Sequence, residues 1–118
     1  MKYDLEERCY KFGEEIIVFL KKLPQDRLLD PLAMQLVRSA TSVGANYMEA
    51  NQASSKKDFR HKITLCKKEA NESKYWLRMI AQACEEVKDG ARKHWSEAHE
   101  LLLIFGKIES KSREKVEI

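Results

Sequence analysis

The chain has 118 residues, with Lys+Arg 22 against Asp+Glu 19 and a formal charge of +3. That length supports one domain with a core of about four ordinary helices. No apolar run approaches the roughly 20 residues that span a bilayer. The cysteines Cys9, Cys66 and Cys84 are an odd count placed on apolar stripes, which argues against a disulfide framework. With no apolar h-region near the amino terminus, these features predict a single cytoplasmic domain over residues 1–118, away from the membrane.

The first predicted helix covers residues 4–23. Its seam is Leu5, Cys9, Phe12, Ile16, Phe19 and Leu23, in alternating steps of four and three. Asp4 is the expected N-cap, and Pro24 is the stop. Leu28 and Leu29, in the link between the first two helices, are expected to fold over the bundle end. Asp30-Pro31 reads as a start signal, with Asp as cap and Pro in the first helical position.

The second helix covers residues 31–51, with the seam Leu32, Leu36, Ser39, Val43, Asn46 and Ala50. It is rich in small residues, and Gly44 in its interior costs about 1 kcal/mol against Ala, so a packing reason is expected. Gln35, Arg38, Ser42, Asn46 and Glu49 form a polar stripe that overlaps the seam. Left unpaired in a core they would be costly.

The third helix covers residues 56–88 and organises the rest. Ser55 with Asp58 three residues on resembles a capping box. The seam is Phe59, Ile63, Cys66, Ala70, Ser73, Leu77, Ile80, Cys84 and Val87. A second stripe lies one position before it: Leu65, Glu69, Glu72, Trp76, Met79 and Ala83. A face this wide touches two neighbours, as in a bundle. Glu69 and Glu72 are the expected partners of Arg38, with Ser42 or Asn46 hydrogen-bonding across the interface.

Asp89-Gly90 is read as the turn into a fourth helix over residues 92–112, with Trp95, Ala98, Leu101, Leu102, Phe105 and Ile108 inward and a fraying tail. With no strands and only short connections, the fold class is all-α, an up-down-up-down antiparallel four-helix bundle. Apolar residues off the seams, Tyr10, Ile17, Leu20, Tyr47 and Met48, either fill the flanks of that bundle or mark a self-association surface.

Charge is unevenly shared. Residues 1–53 hold seven Lys/Arg and eight Asp/Glu, whereas residues 54–118 hold fifteen and eleven. The strip Lys56, Lys57, Arg60, Lys67, Lys68, Lys74 and Arg78 runs along helix three. It spans roughly 27 Å from residue 60 to 78, enough to follow several phosphates. Tyr75 among these cations could stack on a base or pack in a groove. The alternative is a solvated helix face.

Catalytic and metal chemistry find little support. The di-metal bundle motif Glu-x-x-His is absent, because the residues three before His61, His94 and His99 are Asp58, Ala91 and Ser96. His61 and Cys66 diverge by about 140° around a helix. Glu49, Glu69 and Glu72 could form a carboxylate cluster, or ion pairs with Arg38. No nucleophile elbow and no phosphate-binding loop occurs. The expectation is a protein with no catalytic residues, no metal and no cofactor.

The run Gln35 to Asn46 with Glu49-Ala50, then Asp58-Phe59, then Glu69-Ala70, Glu72 and Tyr75-Trp76-Leu77, resembles the four-helix-bundle family encoded in intervening sequences of bacterial 23S ribosomal RNA genes. That family includes the accessory variability proteins of diversity-generating retroelements. The resemblance spans nearly the whole chain. It implies a homopentamer with a basic surface, no catalysis, and, in the retroelement branch, nucleic acid and a reverse transcriptase as partners. Arg38, Ser39, Ser42, Asn46, Glu49, Glu69, Glu72 and Trp76 match the family pattern and are expected to be structural.

Overall fold

The computed structural model describes the backbone of residues 2–117 and the side chains of residues 4–112. Four helices are present: α1 (Lys2–Lys21), α2 (Leu29–Asn51), α3 (Lys56–Ala83) and α4 (Lys88–Glu117). No strand occurs among the described residues.

Contacts along the helices establish the topology. Gly44 of α2 lies beside Cys9 of α1, and Thr41 lies beside Gly13. Ser39 of α2 meets Ser73 of α3, while Glu49 meets Lys62. Thr64 of α3 meets Glu109 of α4, while Lys74 meets His99. In each pair one index rises as the other falls, so consecutive helices are antiparallel. The order around the bundle is α1, α2, α3, α4, with α3 packed along both α2 and α4. The α1–α4 edge is thinner. It is joined by Arg8 bonded to Glu97 at 2.9 Å and Glu100 at 3.0 Å, and by Phe19 edge-on to His94.

The alternating seams become the core. Leu5, Cys9, Phe12, Ile16 and Phe19 are buried on α1, as are Ile63, Cys66, Ala70, Ser73, Leu77 and Ile80 on α3. Each large apolar side chain buried this way contributes about 1.5–3 kcal/mol. Tyr47, read from sequence as lying off the seam, is buried and packs tilted on Phe105 across the bundle. Tyr10, Ile17 and Met48 remain exposed. The three cysteines are free and buried, and desolvation pushes the thiols of Cys9 and Cys66 up to about 12. No described helix is long and apolar enough to cross a membrane.

Helix ends depart from the sequence reading in several places. Asp4 lies inside α1, and Asp30 lies in the first turn of α2, whose N-cap position is Leu28 with no side-chain cap, so Asp26 just upstream takes up the leading N–H groups instead. The Asp26 side chain accepts the N–H of Leu28 at 2.7 Å, and its carbonyl accepts those of Leu29 and Asp30. Pro31 falls in the first turn, where its missing N–H costs nothing. Leu29 folds under the bundle end, but Leu28 stays 64% exposed. The expected cap of α3 is present: Ser55 Oγ accepts the N–H of Asp58 at 3.0 Å.

The larger difference is at the α3–α4 junction. Helix α3 stops at Ala83, Cys84 is extended, and a 3-10 turn over Glu85–Val87 leads into α4 at Lys88. Carboxylates disfavour a helix C-terminus and favour an N-terminus. Glu85 and Glu86 therefore open the 3-10 turn, and Asp89 lies in the first turn of α4. Gly90 sits within α4, with no positive φ, and its missing Cβ accommodates the Phe19 ring, whose nearest atom would lie at 3.1 Å. Gly44 differs: a Cβ there would meet Cys9 and Tyr10 at 3.6 Å, ordinary contact, so packing leaves room for Ala. Helix α4 continues to Glu117, past the expected end at 112, because no Gly or Pro occurs after Gly106.

Candidate nucleic-acid interface

Helix α3 presents two flanks beside its buried seam. The flank toward α2 carries the predicted polar cluster. Arg38 of α2 donates through Nη1 to Glu69 at 3.3 Å and through Nη2 to Glu72. The Trp76 indole N–H donates to the same Glu72 at 3.0 Å. Hydrogen bonding from Trp76, and then from Arg38, holds the Glu72 carboxyl below the usual carboxylate range against opposing desolvation. Arg38 is 46% exposed, so the pair sits at the rim rather than in the core. Behind it, fully buried, Ser39 Oγ and Ser73 Oγ lie 2.9 Å apart. This pair replaces the expected bonds from Ser42 or Asn46, because the Asn46 amide donates within its own helix to the Ser42 carbonyl. Glu49 does not converge with the other two carboxylates. It accepts from Lys62 at 2.6 Å, at the far end of the interface. Among the described residues no three His, Cys, Asp or Glu side chains are grouped to hold a metal ion.

The flank toward α4 carries the predicted basic strip. Positions 60, 67, 74 and 78 recur at helical spacing, which aligns Arg60, Lys67, Lys74 and Arg78 beside α4. Lys56, Lys57 and Lys68 are exposed. Lys67 is committed: it donates to Glu109 of α4 at 2.7 Å, and Thr64 shares that carboxylate. Lys57, Arg60, His61 and Lys67 border a shallow basic depression at this end. Farther along, Lys74 Nζ lies 2.9 Å from His99 Nδ1 and 4.5 Å from the centre of the Trp95 ring. Tyr75 leans edge-on against Trp76, toward the α2 side.

Trp95 is the main residue that sequence reading misplaced. It was expected inward and is 36% exposed, stacked nearly parallel on His99. The buried seam of α4 is Ala91, Ala98, Leu101 and Phe105, one position away from the stripe through Trp95 and Leu102. With α4 starting at Lys88, Ala91 joins the seam and turns Trp95 to the α3 flank. Arg92, one turn earlier, shares that flank, and both line a groove with Arg78. Two acids of α4, Glu97 and Glu100, are turned to Arg8 on the α1 side, whereas Glu109 faces α3 and holds Lys67. Lys57, Arg60, Lys68, Arg78 and Arg92 have no ion-pair partner among the described residues.

The family model described as 23S rRNA-intervening sequence protein matches residues 1–107. No curated protein matches the chain. A solved structure of a protein of unknown function, from the S23 ribosomal protein family of Bacteroides thetaiotaomicron VPI-5482, is similar with a TM-score of 0.80 and 28% sequence identity. The similarity covers 93% of this chain and 99% of that one.

Proposed function

Because this chain belongs to the 23S rRNA-intervening sequence protein family, whose model spans most of it, we propose that it is a non-enzymatic, homo-oligomeric accessory protein that binds RNA or DNA. The α3–α4 face is the binding surface, and the reading rests on one observation. Most paired acids lie on the α2 and α1 sides, and among the described residues Lys57, Arg60, Arg78 and Arg92 are left without an ion-pair partner along the α4 side, where Glu109 takes up Lys67. Such a face meets phosphates without reading sequence, so binding falls steeply with salt. Self-association uses the opposite side, where Tyr10, Ile17, Met34 and Met48 are exposed on α1 and α2. Its partner in the cell is RNA-processing or reverse-transcribing machinery, in line with the resemblance to retroelement accessory proteins.

The test is size-exclusion chromatography with light scattering, with and without a structured RNA, at about 50 and about 200 mM salt. An oligomer that takes up RNA at the lower salt and releases it at the higher is expected. The triple variant Lys57→Glu, Arg60→Glu, Arg78→Glu should lose RNA while keeping its melting temperature. Lys67 is left intact, because reversing it would set a second carboxylate against Glu109. An oligomer indifferent to RNA would replace this reading with a protein–protein scaffold. A monomer would overturn the assembly.

A further inference from the structure

The groove between the last turns of α3 and the first turns of α4 has features that phosphate tracking does not need. It encloses about 310 Å³, near the lower end of the roughly 300–1,000 Å³ typical of ligand pockets. Its floor is apolar, made by Leu77, Ala81 and Ala91. Arg78 comes from one helix, Arg92 and Trp95 from the other, and Gln82 adds an amide. The one carboxylate on its lining, Glu85, lies 3.6 Å from Lys88 and is mostly exposed at the mouth.

Among the described residues, the ring and cation contacts of the indole lie on one side. His99 lies one turn after Trp95 and stacks on it with a 12° interplanar angle. Lys74 Nζ lies over the same ring and 2.9 Å from His99, so the two share one side of the indole. Along α4 the groove residues Ala91 and Arg92 precede Trp95, whereas His99 follows it. A rigid aromatic ring, backed on one face and lining a cationic groove, suits a planar, electron-rich group that carries an anion. An unpaired nucleotide combines these features. A duplex offers no free base face to such a ring.

We infer that this groove takes one unpaired nucleotide of a bound single strand, with its base against Trp95 and its phosphate between Arg78 and Arg92. The inference rests on the nucleic-acid reading above and adds to it a site that senses whether bases are free. Gln82 is placed to meet a base edge. Tyr75, the stacking candidate in the sequence, is turned away toward Trp76.

The experiment compares a short single-stranded oligoadenylate with an abasic oligomer of equal length and charge. It uses the full chain carrying Trp76→Phe, so that Trp95 is the remaining tryptophan. The base-bearing strand should bind tighter by on the order of ten-fold and quench Trp95 fluorescence. Trp95→Leu should erase that advantage and leave the charge-driven binding of both oligomers, with the melting temperature unchanged. Equal binding of the two oligomers with a silent Trp95 would overturn the groove while leaving the basic face standing. Preference for a duplex over the single strand would overturn it as well. Failure of either oligomer or structured RNA to bind would remove the basic face and the groove together.

Discussion

On the α2 side of α3, Glu69 and Glu72 share Arg38, Trp76 adds a hydrogen bond, and Ser39 meets Ser73 beneath them. On the α4 side, Lys67 and Lys74 find partners, but among the described residues Arg60 and Arg78 have none, and a groove remains open beside Trp95. The same helix thus has one flank closed by charge pairing and one left with cations facing solvent. Closure comes from complementary sign: α2 supplies Arg38 opposite two carboxylates, whereas α4 turns Glu97 and Glu100 toward α1. A helix that only had to be stable could neutralise both flanks. The unpaired side is where a polyanion would be attracted.

The comparison is broken most severely at the seam that both flanks share. Leu77 is fully buried and also floors the groove. Leu77→Ala should lower stability by about 2–5 kcal/mol in urea denaturation, with the groove deformed. A loss below about 1 kcal/mol would mean that something other than this seam holds the flanks.

Within the closed flank, buried and rim contacts should separate. Ser73→Ala should cost about 1 kcal/mol at any salt concentration, since it deletes one hydroxyl of a dry pair. Arg38→Ala should cost less than about 1 kcal/mol and fade as salt is raised, because its guanidinium is nearly half exposed. Urea midpoints for both variants at low and high salt decide this. A salt-independent loss of several kcal/mol in Arg38→Ala would place that pair in the core.

The smallest effect is one of pH. The Glu72 carboxyl is held down in the folded state, first by Trp76 and then by Arg38. Its contribution is therefore complete above the ordinary carboxylate value of about 4.3 and is lost as pH falls through the lower folded value. Trp76→Phe should flatten the fall in the urea midpoint between about pH 5 and about pH 3. Parallel slopes in the two proteins would show that the indole bond does not act on Glu72.

Much of this architecture is legible in one dimension because helix period is local. The four-and-three steps of α1 and α3 predict their buried faces, Ser55 predicts a cap, and the polar stripe through Arg38 opposite Glu69 and Glu72 predicts the pairing of α2 with α3. The basic strip is equally visible as a spacing of charges. Three features needed the folded chain. The break at Cys84 carries no Gly or Pro, and only the carboxylates after it hint that a new helix begins. Trp95 lies on one of two adjacent stripes that periodicity cannot rank, and the register of α4 against α3 chose the exposed one. Which cations keep a free charge depends on the reach of side chains from another helix, as with Glu109 and Lys67. The sequence by itself determined which faces turn inward, since burial depends on spacing along one helix. Tertiary structure decided which polar groups meet, since that depends on distances between helices.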